Sequence, residues 1–298
     1  MKLLDNAVLD NMLTTRFRNW RGVVLITLYG LLLLGVIALV AGFGFVTSGA
    51  IDSNMIGTAL YYILAVFQFA LIVFIMPAIT AGMISGERER KTLDLLLCTQ
   101  MTPLAVVAGK LFSGCLYMVL CVVCSIPMLT MVYLYGGVSI LNVLSVVAVY
   151  LVTIIAIGSL GIFFSTILKR TTAAVVVTYL AVFLLGIVST VGGYAQLALD
   201  VYLHSSLPNY VPGYPALWII NPAMAMLEAL GPAGAMGGIG VLAITGQNLW
   251  PPMWGWELMA LLLVSALLIF LSSRILAPRR GWLTWKNSSG AARQVGQQ

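Results

Sequence analysis

The 298-residue chain is 61% hydrophobic, only 8% of it is Asp, Glu, Lys or Arg, and its mean hydropathy is +1.05. A soluble domain carries about 25% charged residues, so a soluble globular protein is excluded and lipid is the solvent this composition demands. The net charge of +6 calls for no nucleic acid partner, because Lys and Arg also gather on the cytoplasmic side of membrane proteins.

In chain order, residues 1–21 come first. Leu9, Leu13 and Phe17 recur at i, i+4 and i+8, with Arg16, Arg18 and Arg21 among them. This pattern predicts an amphipathic helix lying on the inner leaflet. Gly22 to Ile51 is free of charge and longer than a signal-peptide core, so it is read as a retained first span. Ser53 to Gly86 supplies the second span. Residues 86–110 open with five charges and continue as an amphipathic run, a cytoplasmic segment. Leu111 to Leu168 is long enough for spans three and four, with Gly136-Gly137 as the turn between them. Thr171 to Leu199 is the fifth span.

Residues 200–253 form an insert that holds Pro208, Pro212, Pro215, Pro222, Pro232, Pro251 and Pro252, seven of the 11 prolines. Reading residues 217–244 as a further span would place Glu228 in hydrocarbon and turn the cationic tail outward, both unfavourable. The expectation is an external element of short or re-entrant helices, with Pro222 and Glu228 as its candidate residues. Trp254 through Ser273 is the core of the sixth span. The transmembrane domain is thus 22–277, and 278–298 is predicted to be a partly disordered cytoplasmic tail.

All 15 Lys and Arg fall in the N-terminus, the segment after span two, the turn after span four, and the end of span six with its tail. That segregation predicts an even number of spans with both termini in the cytoplasm. Tryptophans lie at the predicted boundaries and none is mid-span, as expected of aromatic belts. The fold class is an all-α polytopic membrane protein of six transmembrane helices.

Little in the spans carries chemistry. Their centres hold no ionisable group of the kind a proton- or sodium-coupled carrier needs. No GxxxxGK[ST] phosphate loop is present: Gly109-Lys110 is followed by Leu111, with Leu104 where the first Gly belongs. Cys98, Cys115, Cys121 and Cys124 read as small apolar residues rather than a disulfide framework. His204, the one histidine, has only Asp200 as a neighbouring acid. No catalytic, metal or cofactor site is expected, and any uphill transport must draw its energy from a partner.

The informative stretch is Ser85 to Lys110. Glu87 and Lys91 stand at i, i+4 in the orientation that supports a helix. Leu93, Leu96 and Leu97 give an apolar side, and the charged side is expected to be free to meet another protein. Glu87-Arg88-Glu89, Thr92-Leu93-Asp94, Leu96-Leu97, Thr99, Pro103 and Gly109-Lys110 resemble the segment between spans two and three of ABC-2-type transporter permeases. Lys91 stands where that family usually has Gly, and Asp94 replaces Glu. The resemblance extends to the layout: an amphipathic start, six spans, both ends inside and an insert before the last span.

The resemblance implies an exporter's membrane subunit, in the plasma membrane, paired with a second permease subunit, identical or paralogous. It implies a separate cytoplasmic ABC ATPase subunit that binds ATP and Mg. A coupling helix would carry Glu87, Arg88, Glu89, Arg90, Thr92, Leu93, Leu96 and Thr99 as ATPase-coupling residues. This chain itself would be no enzyme, and membrane lipid would surround it. A scaffold or sensor subunit, and a passive channel or secondary carrier, are the alternatives. The charged segment argues against a channel and the charge-free spans against a carrier.

Overall fold

A computed structural model describes residues 20–47, 53–92, 102–134, 139–204, 214–230 and 253–276. Among the described residues all regular structure is helical. The long helices are α1 (Trp20–Thr47), α2 (Ser53–Thr80), α4 (Pro103–Leu134), α5 (Ile140–Ile167), α6 (Thr171–Leu203) and α8 (Met253–Leu276). Three short elements complete the fold: α3 (Ser85–Glu89), a 3-10 turn (Ala216–Ile220) and α7 (Pro222–Ala229). The proposed N-terminal amphipathic helix, the Gly136-Gly137 turn, residues 231–250 and the tail lie outside the described residues.

Each of the six long helices overlaps one of the predicted spans. Five of the described helical stretches are long and apolar enough to cross a membrane: Gly57–Glu89, Pro103–Thr130, Ile140–Ile167, Thr171–Leu203 and Trp254–Leu276. Within α1 the apolar stretch that qualifies is shorter, Ile26–Val40. One boundary differs from expectation. The third long helix starts at Pro103, not Leu111, because Lys110 does not end it; the lysine is tucked inside and paired.

α5 is the central helix, packed on α8, α2, α4 and α6. Its N-terminus is capped by Ser139, whose hydroxyl accepts from the Leu141 amide at 3.3 Å. Small residues set the crossings. A Cβ built on Gly161 would lie 2.0 Å from Thr80 Oγ1, and one on Gly158 would lie 2.6 Å from the Met76 methyl. Only glycine lets α2 and α5 approach this closely, as in other lipid-embedded bundles. Buried polar side chains then stitch the helices: Tyr150 Oη donates to the Ala65 carbonyl at 2.8 Å, and Gln68 Nε2 to Ser125 Oγ at 2.6 Å.

The insert folds inward. Asn221 caps α7 by accepting from the Ala223 amide at 3.0 Å, with Pro222 in the first turn. Ala225, Met226, Ala229 and Leu230 then join the main core between α5 and α8. Over 222–230, therefore, the insert packs among the long helices, while Ala216, Leu217 and Ile220 stay exposed. Glu228 is partly buried rather than solvated, with its carboxylate beside Tyr214.

Candidate functional site

The charged segment ends α2 and turns into α3. After Thr80 the chain passes through a turn at 81–84, and the Ser165 hydroxyl of α5 accepts from the amides of Ile84 and Ser85 at 3.0 and 2.9 Å. This satisfies amides at the start of a helix too short to satisfy its own. α3 then holds Glu87, Arg88 and Glu89 in a single turn.

Each of these three side chains turns back to its own chain. Glu87 Oε1 pairs with Lys110 Nζ of α4 at 2.5 Å. Lys110 is only 3% exposed, and its ammonium also donates to the Met83 carbonyl at 2.7 Å. Arg88 donates to the Leu168 and Thr166 carbonyls at 3.2 and 3.0 Å, covering the end of α5. Glu89 accepts from the Thr171 amide at 2.9 Å and from the Thr171 hydroxyl, at the start of α6. An arginine on C-terminal carbonyls and a glutamate on an N-terminal amide are both in the orientation that helix dipoles favour. The expectation of a free charged face is therefore corrected for Glu87 and Arg88, which are half-buried against a buried lysine and the end of α5, whereas Glu89 caps α6 and still stays exposed.

Arg90, Lys91 and Thr92 remain exposed. Here α3 closes in a Schellman motif: the Lys91 amide donates to the Arg88 carbonyl and the Thr92 amide to the Glu87 carbonyl, at 3.1 and 3.0 Å. The motif requires a left-handed residue, and Lys91 supplies it with φ 57. This is the physical reason a glycine suits that position. Leu93, Leu96 and Thr99 lie outside the described residues. A cavity of ≈ 330 Å³ lies among α3, α4 and α6, lined in part by Gly86, Glu87, Glu89, Arg90, Lys110 and Thr171.

Sequence reasoning placed Lys110 only as the end of a motif and missed Thr171 and Ser165 as partners. A lone lysine inside an apolar run was the available signal for Lys110. Nothing in a sequence marks a threonine or serine 80 residues away as a cap. At the opposite end, Glu228 meets two residues that sequence reasoning left unpaired with it. Tyr214 Oη donates to Glu257 Oε1, and Glu257 is fully buried. Burial raises the Glu228 carboxyl above the ordinary carboxylate range, against the lowering effect of hydrogen bonds from Tyr214 and the Trp254 backbone. Among the described residues no group of three or more His, Cys, Asp or Glu is placed to hold a metal.

A family profile described as ABC-2 family transporter protein matches residues 57–274. No curated protein matches the chain significantly. The matched region runs from α2 to the last turn of α8 and includes the whole α3 cluster.

Proposed function

The chain belongs to the ABC-2 transporter family, and from that premise we propose that it is a membrane permease subunit driven by a separate cytoplasmic ATPase. It is a multi-pass membrane protein. In the proposed arrangement six helices cross the bilayer, the basic end faces the cytoplasm, and two permease subunits together form the export path. ATP and Mg are held by the ATPase, and this chain supplies no catalytic group.

The observation that carries the reading is α3 itself. It is a short polar helix between the second and third long helices, rigidly tied to α4, α5 and α6, with Arg90 and Lys91 left pointing outward. A contact surface made this way receives force at its exposed turn and passes it into three long helices at once. Conformational change in a packed bundle proceeds through such discrete, stiff contacts. Leu93, Leu96 and Thr99 extend the proposed contact.

The test is purification of the permease with its ATPase, reconstitution in vesicles, and measurement of ATP hydrolysis and nucleotide-dependent labelling of engineered cysteines. Retention of the ATPase by the wild type and its loss on Arg90→Glu/Lys91→Glu is expected. Retention by the reversed-charge variant at wild-type stoichiometry would overturn the assignment of α3 as the contact.

A further inference from the structure

We propose that α6 is a transmission rod that carries movement of α3 to the insert at the opposite end of the molecule; this rests on the reading of α3 as the ATPase contact. Of the five stretches long and apolar enough to cross a membrane, that of α6 is the least buried. Only 11% of its apolar window is buried, against 50% for Pro103–Thr130 and 39% for Ile140–Ile167. It is also free of the internal prolines that interrupt α2 at Pro77 and α4 at Pro127. A helix without a proline kink moves as one rigid piece instead of bending at a hinge.

Both working ends of this helix are held by other parts of the chain. At the basic end its own N-cap residue, Arg170, makes no side-chain cap. Glu89 of α3 caps it instead, through both the amide and the hydroxyl of Thr171. The seat is close: a Cβ on Gly82 or Gly86 would meet the Thr171 methyl at 3.2 and 3.5 Å. At the insert end, Asn221 Nδ2 donates to Thr190 Oγ1 at 2.7 Å, and Trp218 Nε1 to the Thr190 carbonyl at 3.4 Å. Trp218 is fully buried and lies directly on the backbone of Gly193, where a Cβ would sit 2.0 Å from its Nε1.

Thr171 and Thr190 are separated by about 28 Å of helix, at 1.5 Å per residue. Between them Ala174 and Thr178 are buried, and Tyr179 Oη donates to the Phe74 carbonyl of α2 at 2.6 Å. Those contacts with the bundle act as the fulcrum. Displacement of α3 shifts Thr171 through Glu89, the rod tilts about Tyr179, and Thr190 and Gly193 drag Trp218 and Asn221 in the opposite sense.

The experiment uses the full complex with its ATPase, with Cys98, Cys115, Cys121 and Cys124 replaced by Ala and the exposed Ala216 replaced by Cys. Labelling by a membrane-impermeant maleimide is compared without nucleotide and with ATP plus vanadate. The expected rate difference is about fivefold or more, the scale of ordinary site-to-site coupling. Compared in complexes purified to equal ATPase stoichiometry, Glu89→Ala should remove that difference, and Thr190→Val, remote from α3, should do the same from the other end. Adding Arg170→Asp to Glu89→Ala restores a local cap; it should restore thermal stability but not the labelling response. A response that returns with the local cap would show Glu89 to be a cap only and would overturn the rod. So would a response that survives both Glu89→Ala and Thr190→Val. A wild-type complex with no nucleotide-dependent labelling anywhere, or with no bound ATPase, overturns instead the reading on which the rod rests.

Discussion

At the scale of single residues, the Glu87–Lys110 pair decides what mutating α3 does. Lys110 is 3% exposed and Glu87 26%, so removing the carboxylate takes the counter-charge from a buried ammonium, at a cost below that of a fully buried pair, about 3–5 kcal/mol. Glu87→Ala should therefore lower the melting temperature of the purified permease, and adding Lys110→Met should recover most of the loss. A double-mutant cycle on thermal unfolding reads this directly. Lys91 makes the opposite case. A non-glycine residue in the left-handed region costs roughly 1–2 kcal/mol, so Lys91→Gly should raise stability. If Lys91 is also a contact, the same substitution weakens ATPase retention, and the two readouts part in sign.

At the scale of elements, the insert is held by shape as well as by hydrogen bonds. Gly193→Ala forces a Cβ into the Trp218 indole, and overpacking of this kind costs typically 1–3 kcal/mol. A lower melting temperature of the purified protein is the expected signature. Titration of the insert has a definite sign. The folded Glu228 carboxyl binds its proton more tightly than the unfolded one. The folded state therefore holds more protons, and stability falls as pH rises above the ordinary carboxylate range. Glu228→Gln should flatten the decline of melting temperature as pH rises above the ordinary carboxylate range. A variant that declines as steeply as the wild type would contradict that role for Glu228.

At the scale of the whole molecule, the segregation of the basic residues predicts an orientation. Cysteines placed at Lys91 and Lys169 should react from the cytoplasm, and one at Ser139 from outside, in intact cells with an impermeant reagent. External reactivity at 169 would break the six-span arrangement. The helices on which this depends were legible in the sequence. Charge-free runs of about 20 residues demand helices in lipid, where every backbone group must be satisfied within its own segment. That rule is local, so α2, α5, α6 and α8 begin and end within a few residues of the predicted spans. α4 departs from it because Lys110 finds a buried partner on a different helix.

What the sequence determined by itself was that the chain is a multi-pass bundle of long apolar helices, roughly where each of them lies, and the segment that marks the family. These follow from one-dimensional patterns: hydropathy, the spacing of charges, and a motif. What only the tertiary structure decided was where the charges point and where the insert goes. Glu87, Arg88 and Glu89 look alike in sequence. Yet they end on Lys110, on the carbonyls of Thr166 and Leu168, and on Thr171, because those groups are left unsatisfied by helices that converge there. The sequence left open whether the insert lies on the surface or re-enters, and the structure places Trp218 on the backbone of Gly193 and packs α7 against α5 and α8. Partner choice across 80 residues depends on which helix ends meet, and that is a property of packing.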